Sequence, residues 1–103
     1  MSTRGQARPP VSPPVPPMPP ALRHGVCVSS RTPDLWSAPA TAPVQRARAL
    51  ALCESCPVLT VCRAWSLSIR TADDLGVILG AMTPEDRALV RRRRQRALRK
   101  ATA

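Results

Sequence analysis

Large apolar side chains are scarce in this chain. Its 103 residues include Trp36 and Trp65 but neither Phe nor Tyr. A chain of this length supports one domain at most. With so few large side chains, that domain buries too little apolar surface to offset its conformational entropy comfortably. We therefore expect a staple to hold the fold together, and a disulfide, a zinc ion or an iron–sulfur cluster could supply it.

Four cysteines are the candidates for that staple. Cys53, Cys56 and Cys62 form the pattern C-x2-C-x5-C, and Cys27 lies 26 residues upstream of the first. Zinc sites commonly use two C-x2-4-C pairs, and only one such pair is present. Iron–sulfur clusters accept thiolates from dispersed segments, whereas disulfides need an oxidising compartment. Spacing therefore favours a cluster and leaves zinc and disulfides as alternatives. His24 is placed outside the site, because four thiols are already available.

Proline dominates the N-terminal part of the chain. Eight of the 13 prolines lie between Pro9 and Pro20. Proline fixes φ and removes backbone donors, so we expect residues 1–22 to form an extended, disordered arm. The prolines also interrupt any apolar segment of a signal peptide, and no segment is long enough to span a bilayer. These features predict a cytoplasmic protein with no membrane partner.

Basic residues concentrate at the C-terminal end. Eight of the 16 lysines and arginines lie within residues 87–100, a stretch without acidic residues. The chain therefore divides into a nearly neutral domain, residues 23–86, and a basic tail, residues 87–103. Guanidinium groups grip phosphate oxygens through parallel hydrogen bonds, and neutralised phosphates release counterions. The tail therefore predicts binding to DNA. The candidate residues are Arg87, Arg91, Arg92, Arg93, Arg94, Arg96, Arg99 and Lys100.

Two helices are predicted around the cysteines. The first runs over residues 43–52, where Val44, Ala47 and Ala51 share one face. The second begins at Pro57, a residue that suits the first position of a helix. Its apolar stripe has helical spacing and consists of Val58, Val61, Cys62, Trp65 and Ile69. The Cys62 thiol is therefore expected to face the interior.

A third helix is predicted to begin at Thr83-Pro84, with the threonine as its N-cap and two acids in its first turn. The preceding residues 71–82 contain two glycines around an apolar triplet, which indicates a loop with an apolar turn or short hairpin. The chain is therefore expected to be all-α, with a small domain of three to four helices.

Several sequence blocks occur together in one order. They are Cys27 followed by Pro33-Asp34-Leu35-Trp36, the motif C-x2-C-P-V-x3-C over residues 53–62, Gly76-Val77, and Met82-Thr83-Pro84-Glu85-Asp86-Arg87 before the basic end. In these blocks the chain resembles the WhiB-like family of actinobacterial transcriptional regulators. The resemblance covers residues 24–100 and leaves the proline arm outside.

This resemblance implies a helical domain organised around a [4Fe–4S] cluster that reacts with oxygen or nitric oxide. The cluster ligands would be Cys27, Cys53, Cys56 and Cys62. It also implies a non-enzymatic, redox-responsive transcription regulator that binds DNA and the principal sigma factor of RNA polymerase, with no small-molecule substrate. If the cluster is lost, the cysteines could form disulfides, and Cys53 and Cys56 are the closest pair in sequence. Two alternatives remain: a thiol–disulfide oxidoreductase that cycles this pair, and a zinc-stapled nucleic-acid adaptor.

The chain departs from the family pattern in three places. Thr32 replaces an acidic residue before Pro33, and Ser37 replaces the second of two aromatics. The glycine turn of the family reads G-V-W-G-G, whereas residues 76–80 of this chain lack its tryptophan and its second glycine. By resemblance, the candidate partner-binding residues are Trp36, Gly76, Val77, Ile78, Leu79 and Gly80. Two interpretations of Ile78 and Leu79 are open. They form either an apolar patch for the sigma factor or ordinary packing under the cluster.

Overall fold

The structure of the protein, a computed structural model, describes residues 15–102. In this range the chain forms four α-helices, which are α1 (Val26–Ser29), α2 (Pro43–Glu54), α3 (Leu59–Ser68) and α4 (Pro84–Thr102). A 3-10 segment at Pro20–His24 precedes α1, and two more lie between helices, at Pro33–Ser37 and Thr71–Asp73. The described residues contain no β-strand, and the all-α prediction is confirmed. None of these helices alone is long and apolar enough to cross a membrane, although α2 and α3 together, with a bend of 117° between them, meet those criteria.

The buried face of α2 differs from the prediction. Val44, Ala47 and Ala51 are all exposed, so the predicted apolar stripe is wrong. Ala49 is fully buried instead, and Cys53 is buried one turn later on the same face. The helix is rich in alanine and offers several small apolar faces of similar quality. Periodicity alone therefore could not select the face that carries the thiol.

The two helices beyond α2 follow the sequence patterns more closely. α3 begins at Leu59, two residues later than predicted, and its stripe buries Trp65 and Ile69 but leaves Val61 exposed. α4 begins where predicted, after the cap residue Thr83. The Asp86 N–H donates to Thr83 Oγ1 at 3.0 Å, and the Thr83 N–H donates to Asp86 Oδ2 at 3.0 Å. This reciprocal capping box fixes the start of α4.

The segment before α1 packs onto the domain. The indole Nε1 of Trp65 donates to the Pro16 carbonyl at 3.1 Å, and Leu22 is buried against Trp65. Val15 packs against the same cluster. The predicted disorder therefore does not hold for residues 15–22, and its remaining part, residues 1–14, lies outside the described residues.

Two small apolar clusters form the core. One contains the buried residues Trp36, Ala49, Cys53 and Ile78, and the other contains Leu22, Trp65 and Ile69. Members of both clusters line one cavity, and all four cysteines line it as well. The core is therefore divided around the cysteine cavity, as expected for a domain too poor in large side chains to close without a staple.

Candidate cysteine site

Four separate positions along the chain deliver the cysteines to this cavity. Cys27 lies on α1, Cys53 in the last turn of α2, Cys56 in the connection that follows, and Cys62 on α3. All four are free thiols in the structure. The predicted ligand residues are thus brought together at one place.

A tight turn positions the C-x2-C pair. The Cys56 N–H donates to the Cys53 carbonyl at 3.0 Å, and the Leu59 N–H donates to the Cys56 carbonyl at 3.2 Å. Helix α3 then begins, and the Cys62 N–H donates to the Val58 carbonyl at 2.9 Å. The end of α2 and the start of α3 therefore present three thiols to the same space.

The cavity has room for more than water. Its volume is about 80 Å³, several times the roughly 10–15 Å³ that one water molecule needs on this measure. Apart from the thiols, its wall is mostly apolar, with Leu22, Trp36, Val58, Trp65 and Ile78 among the lining residues. Such a wall offers water few hydrogen-bond partners. The cavity therefore suits a group that binds sulfur.

The four thiols all line the cavity. Among residues 15–102, no three His, Cys, Asp or Glu side chains are already arranged to hold a metal ion. The donor set itself, four thiols, suits either a zinc ion or an iron–sulfur cluster. His24 is exposed and does not line the cavity.

Burial and the charges of neighbouring cysteines oppose ionisation of two of the thiols, Cys27 and Cys62. Burial raises the pKa of Cys27, the charges of Cys53 and Cys56 raise it further, and two backbone N–H groups lower it. Burial also raises the pKa of Cys62, while a backbone hydrogen bond from Gly80 lowers it and the other three cysteines raise it. A cation in the cavity would offset both opposing effects, because metal ligation needs the thiolates.

One side-chain N–H from outside the cysteine segments reaches a cysteine sulfur. The indole Nε1 of Trp36 donates to Cys53 Sγ at 3.3 Å. Trp36 is only 4% exposed. Its predicted role as a partner contact is therefore contradicted, because the side chain belongs to the wall of the site.

The turn predicted to bind a partner also faces inward. Ile78 is 1% exposed, and its N–H donates to the Trp36 carbonyl at 2.7 Å. Leu79 and Gly80 line the cavity. Ile78 therefore packs beside the site, so the structure supports the packing interpretation of this residue and not the apolar patch. At the start of the turn, Gly76 is exposed and Val77 is half-buried.

Gly80 allows this turn to approach α3 closely. Its φ is +60°, and a Cβ at this position would lie 2.6 Å from Arg63 Cα. The Arg63 Nε donates to the Gly80 carbonyl at 3.0 Å. Glycine is therefore required at this position both by the backbone conformation and by the close contact. The turn thus lies against Arg63, the residue that follows Cys62 on α3.

The first two arginines of the predicted DNA set are not free. Arg87 is 1% exposed and forms an ion pair with Asp74, so its prediction as a phosphate contact is wrong. Arg91 also pairs with Asp74 and donates to the Ser66 carbonyl at 2.9 Å. Asp74 was not among the predicted functional residues, although it pairs with both arginines. Its signal was the D-x-G spacing to Gly76, whose N–H the carboxylate accepts.

The rest of the predicted DNA set is exposed along α4. These residues are Arg92, Arg93, Arg94, Arg96, Arg99 and Lys100. Successive residues of a helix are separated by about 100°, so four consecutive arginines point in different directions. Arg91 points into the protein, and the three that follow point into solvent. Helix α4 is therefore anchored at its start and highly basic over the rest of its length.

A model of a known protein family matches most of the chain. The family model described as "Whib: Transcription factor WhiB" matches residues 22–90. The matched range is more than half of the chain, includes all four cysteines and the glycine turn, and ends just before Arg91. Comparisons with curated proteins and with solved structures found no match.

Proposed function

The chain belongs to the WhiB family of transcription factors, and we propose that it is a redox-responsive transcription regulator whose cysteine cavity binds a [4Fe–4S] cluster. The observation that supports this proposal most is the meeting of four free thiols around one largely apolar cavity. Thiolates from dispersed segments are the usual ligands of such clusters. Only one C-x2-C pair is present and the other two thiols come from separate segments, which favours a cluster over zinc.

The iron ligands would be Cys27, Cys53, Cys56 and Cys62. When bound, the cluster supplies one-electron redox chemistry and a centre that reacts with oxygen or nitric oxide. Residues of α1, α2, α3 and the glycine turn line the cavity, where they would exclude water and hold the four thiols in place. Because the ligands lie on different elements, binding free energy at the cavity stabilises the fold.

We propose that α4 contacts DNA through its exposed basic residues. Arg92, Arg93, Arg94, Arg96, Arg99 and Lys100 are the candidates, while Arg87 and Arg91 hold the helix on the domain. Phosphate contacts of this kind position a protein without reading sequence. A protein partner is therefore expected to select the promoter, and the sigma factor of RNA polymerase is the partner that we propose. The regulator is expected to be cytoplasmic and non-enzymatic.

The site gives little support to the alternative of a thiol–disulfide oxidoreductase. A catalytic thiol needs a lowered pKa and access to its substrate. In the pair that would cycle, Cys53 is only 8% exposed, so a substrate disulfide has little access to its thiol. The regulator therefore remains the function that the geometry favours.

Anaerobic purification followed by metal analysis tests this proposal. We expect visible thiolate-to-iron absorbance and about four iron atoms per chain, with both lost when any one of the four cysteines is replaced by serine. Replacement of exposed Ser29 by alanine is the control and should leave the iron content unchanged. A colourless, folded protein with one zinc per chain would instead identify the nucleic-acid adaptor.

A further inference from the structure

One ligand sulfur accepts a hydrogen bond from a buried indole. Trp36 Nε1 lies 3.3 Å from Cys53 Sγ, and the two residues are 4% and 8% exposed. The indole is held from two sides. Its side chain packs with Ala49 in one apolar cluster, and its backbone carbonyl accepts the Ile78 N–H at 2.7 Å. The donor is therefore fixed in position and shielded from water, which strengthens the hydrogen bond.

The second tryptophan of the cavity provides a contrast. Trp65 also lines the cavity, but its Nε1 donates to the Pro16 carbonyl at 3.1 Å. An indole N–H can only donate a hydrogen bond, so the two tryptophans differ in the acceptor that each one contacts. The Trp65 indole donates to a neutral carbonyl, whereas the Trp36 indole donates to a sulfur that metal binding would make anionic. The two indoles differ in this respect although they share one cavity.

We propose that Trp36 is a positioning residue that sets the redox poise of this site: its N–H···S hydrogen bond to Cys53 raises the reduction potential of the bound cluster. This inference rests on the proposed function. Reduction adds one electron, supplied by the titrant, and no bond is made or broken. The added negative charge spreads onto the ligand sulfurs, where an N–H donor stabilises it more than it stabilises the oxidised state.

Two single substitutions separate the donor from the ring. Trp36→Phe keeps an aromatic ring in the core and removes the N–H that reaches Cys53. Trp65→Phe removes an indole from the same cavity without removing a donor to sulfur. Iron content is measured first, and the midpoint potential is then measured by anaerobic dithionite titration with electron paramagnetic resonance. We expect a more negative potential for Trp36→Phe and an unchanged potential for Trp65→Phe.

A third protein controls for packing, since phenylalanine is smaller than tryptophan. In the Trp65→Phe background, the remaining tryptophan is replaced biosynthetically by 3-benzothienylalanine, which has the shape of tryptophan but carries sulfur in place of the N–H. Its potential should also be more negative than that of Trp65→Phe alone. Loss of the cluster from both donor-free proteins, with Trp65→Phe fully loaded, would overturn the assignment, because the N–H would then be needed to retain the cluster and not to set its potential.

The outcomes that oppose the inference are distinct from those that oppose the proposed function. Equal potentials in loaded wild type and loaded Trp36→Phe would overturn the role of the hydrogen bond and leave the cluster in place. Equal shifts in Trp36→Phe and Trp65→Phe would overturn it as well, because only one of the two donors reaches a sulfur. A wild-type protein that binds no iron would overturn the proposed function, and this inference with it.

Discussion

Arg87 and Asp74 form a buried ion pair with two parallel hydrogen bonds, Nε to Oδ2 at 2.8 Å and Nη2 to Oδ1 at 2.7 Å. The same guanidinium donates to the backbone carbonyls of Val77 at 2.6 Å and Met82 at 3.0 Å. The Asp74 carboxylate also accepts the Gly76 N–H at 2.9 Å. The pair therefore ties the turn that covers the cysteine cavity to α4, the helix that carries the exposed arginines.

Removing the charge of Asp74 should destabilise the fold strongly. Asp74→Asn leaves the Arg87 guanidinium buried without its counter-ion, which costs about 3–5 kcal/mol. The neighbouring Asp73→Asn is the matched control, because Asp73 pairs with Arg70, whose side chain is 77% exposed. Exposed pairs contribute about 0–1 kcal/mol. Urea unfolding of both variants measures the difference, and equal losses would show that the Arg87 pair is not structural.

Acid should weaken the same contact. The Arg87 hydrogen bonds hold the pKa of Asp74 well below its ordinary value. Because the folded-state pKa is depressed, the stabilisation is complete above the unfolded pKa of about 3.9 and is lost as the pH falls towards the folded pKa. The difference in unfolding free energy between wild type and Asp74→Asn should therefore be constant near neutral pH and shrink below about pH 4. A difference that does not change with pH would contradict this linkage.

Local chemistry made part of this structure predictable from sequence. The start of α4 followed from Thr83, Pro84 and the acids after them, since a capping box involves only neighbouring residues. The meeting of the four cysteines followed from their being the chain's only thiols in a domain that needs a staple. Neither inference required knowledge of how distant segments pack.

Features that depend on packing could not be predicted. Charge alone does not distinguish Arg87 from the arginines after it, and its partner Asp74 lies 13 residues earlier in the chain. A guanidinium is buried only when several acceptors surround it, and here most of them are backbone carbonyls of a folded turn. Trp36 was similarly ambiguous, because an indole can serve an interface or a core. Its contact with Cys53 appears only when α2 packs on residues 33–37.

The two glycines of the covering turn should respond differently to alanine. Both have positive φ, +74° at Gly76 and +60° at Gly80, which costs a residue with a Cβ about 1–2 kcal/mol. At Gly76 a Cβ meets no atom within 4 Å, whereas at Gly80 it collides with the Arg63 backbone. Thermal unfolding should therefore show a clearly larger loss for Gly80→Ala. Similar losses would mean that the turn is not pressed against α3.

The DNA assignment for α4 predicts a change in salt dependence. Replacing Arg92, Arg93 and Arg94 with alanine removes three exposed charges while leaving Arg87 and Arg91 anchored. Binding to unrelated duplexes should weaken to a similar extent. The slope of log affinity against log salt should fall by about one for each lost phosphate contact. Fluorescence anisotropy at several salt concentrations measures both quantities.

A second triple variant separates local contact from overall charge. Arg23, Arg31 and Arg48 are also exposed but lie outside α4, so their replacement with alanine lowers the net charge by the same amount. If α4 lies on the phosphates, this variant should keep most of the wild-type slope, because distant exposed charges are screened over about 8 Å at physiological salt. Equal slopes in the two triple variants would show that DNA responds to the net charge of the protein and that α4 makes no specific contact with the backbone.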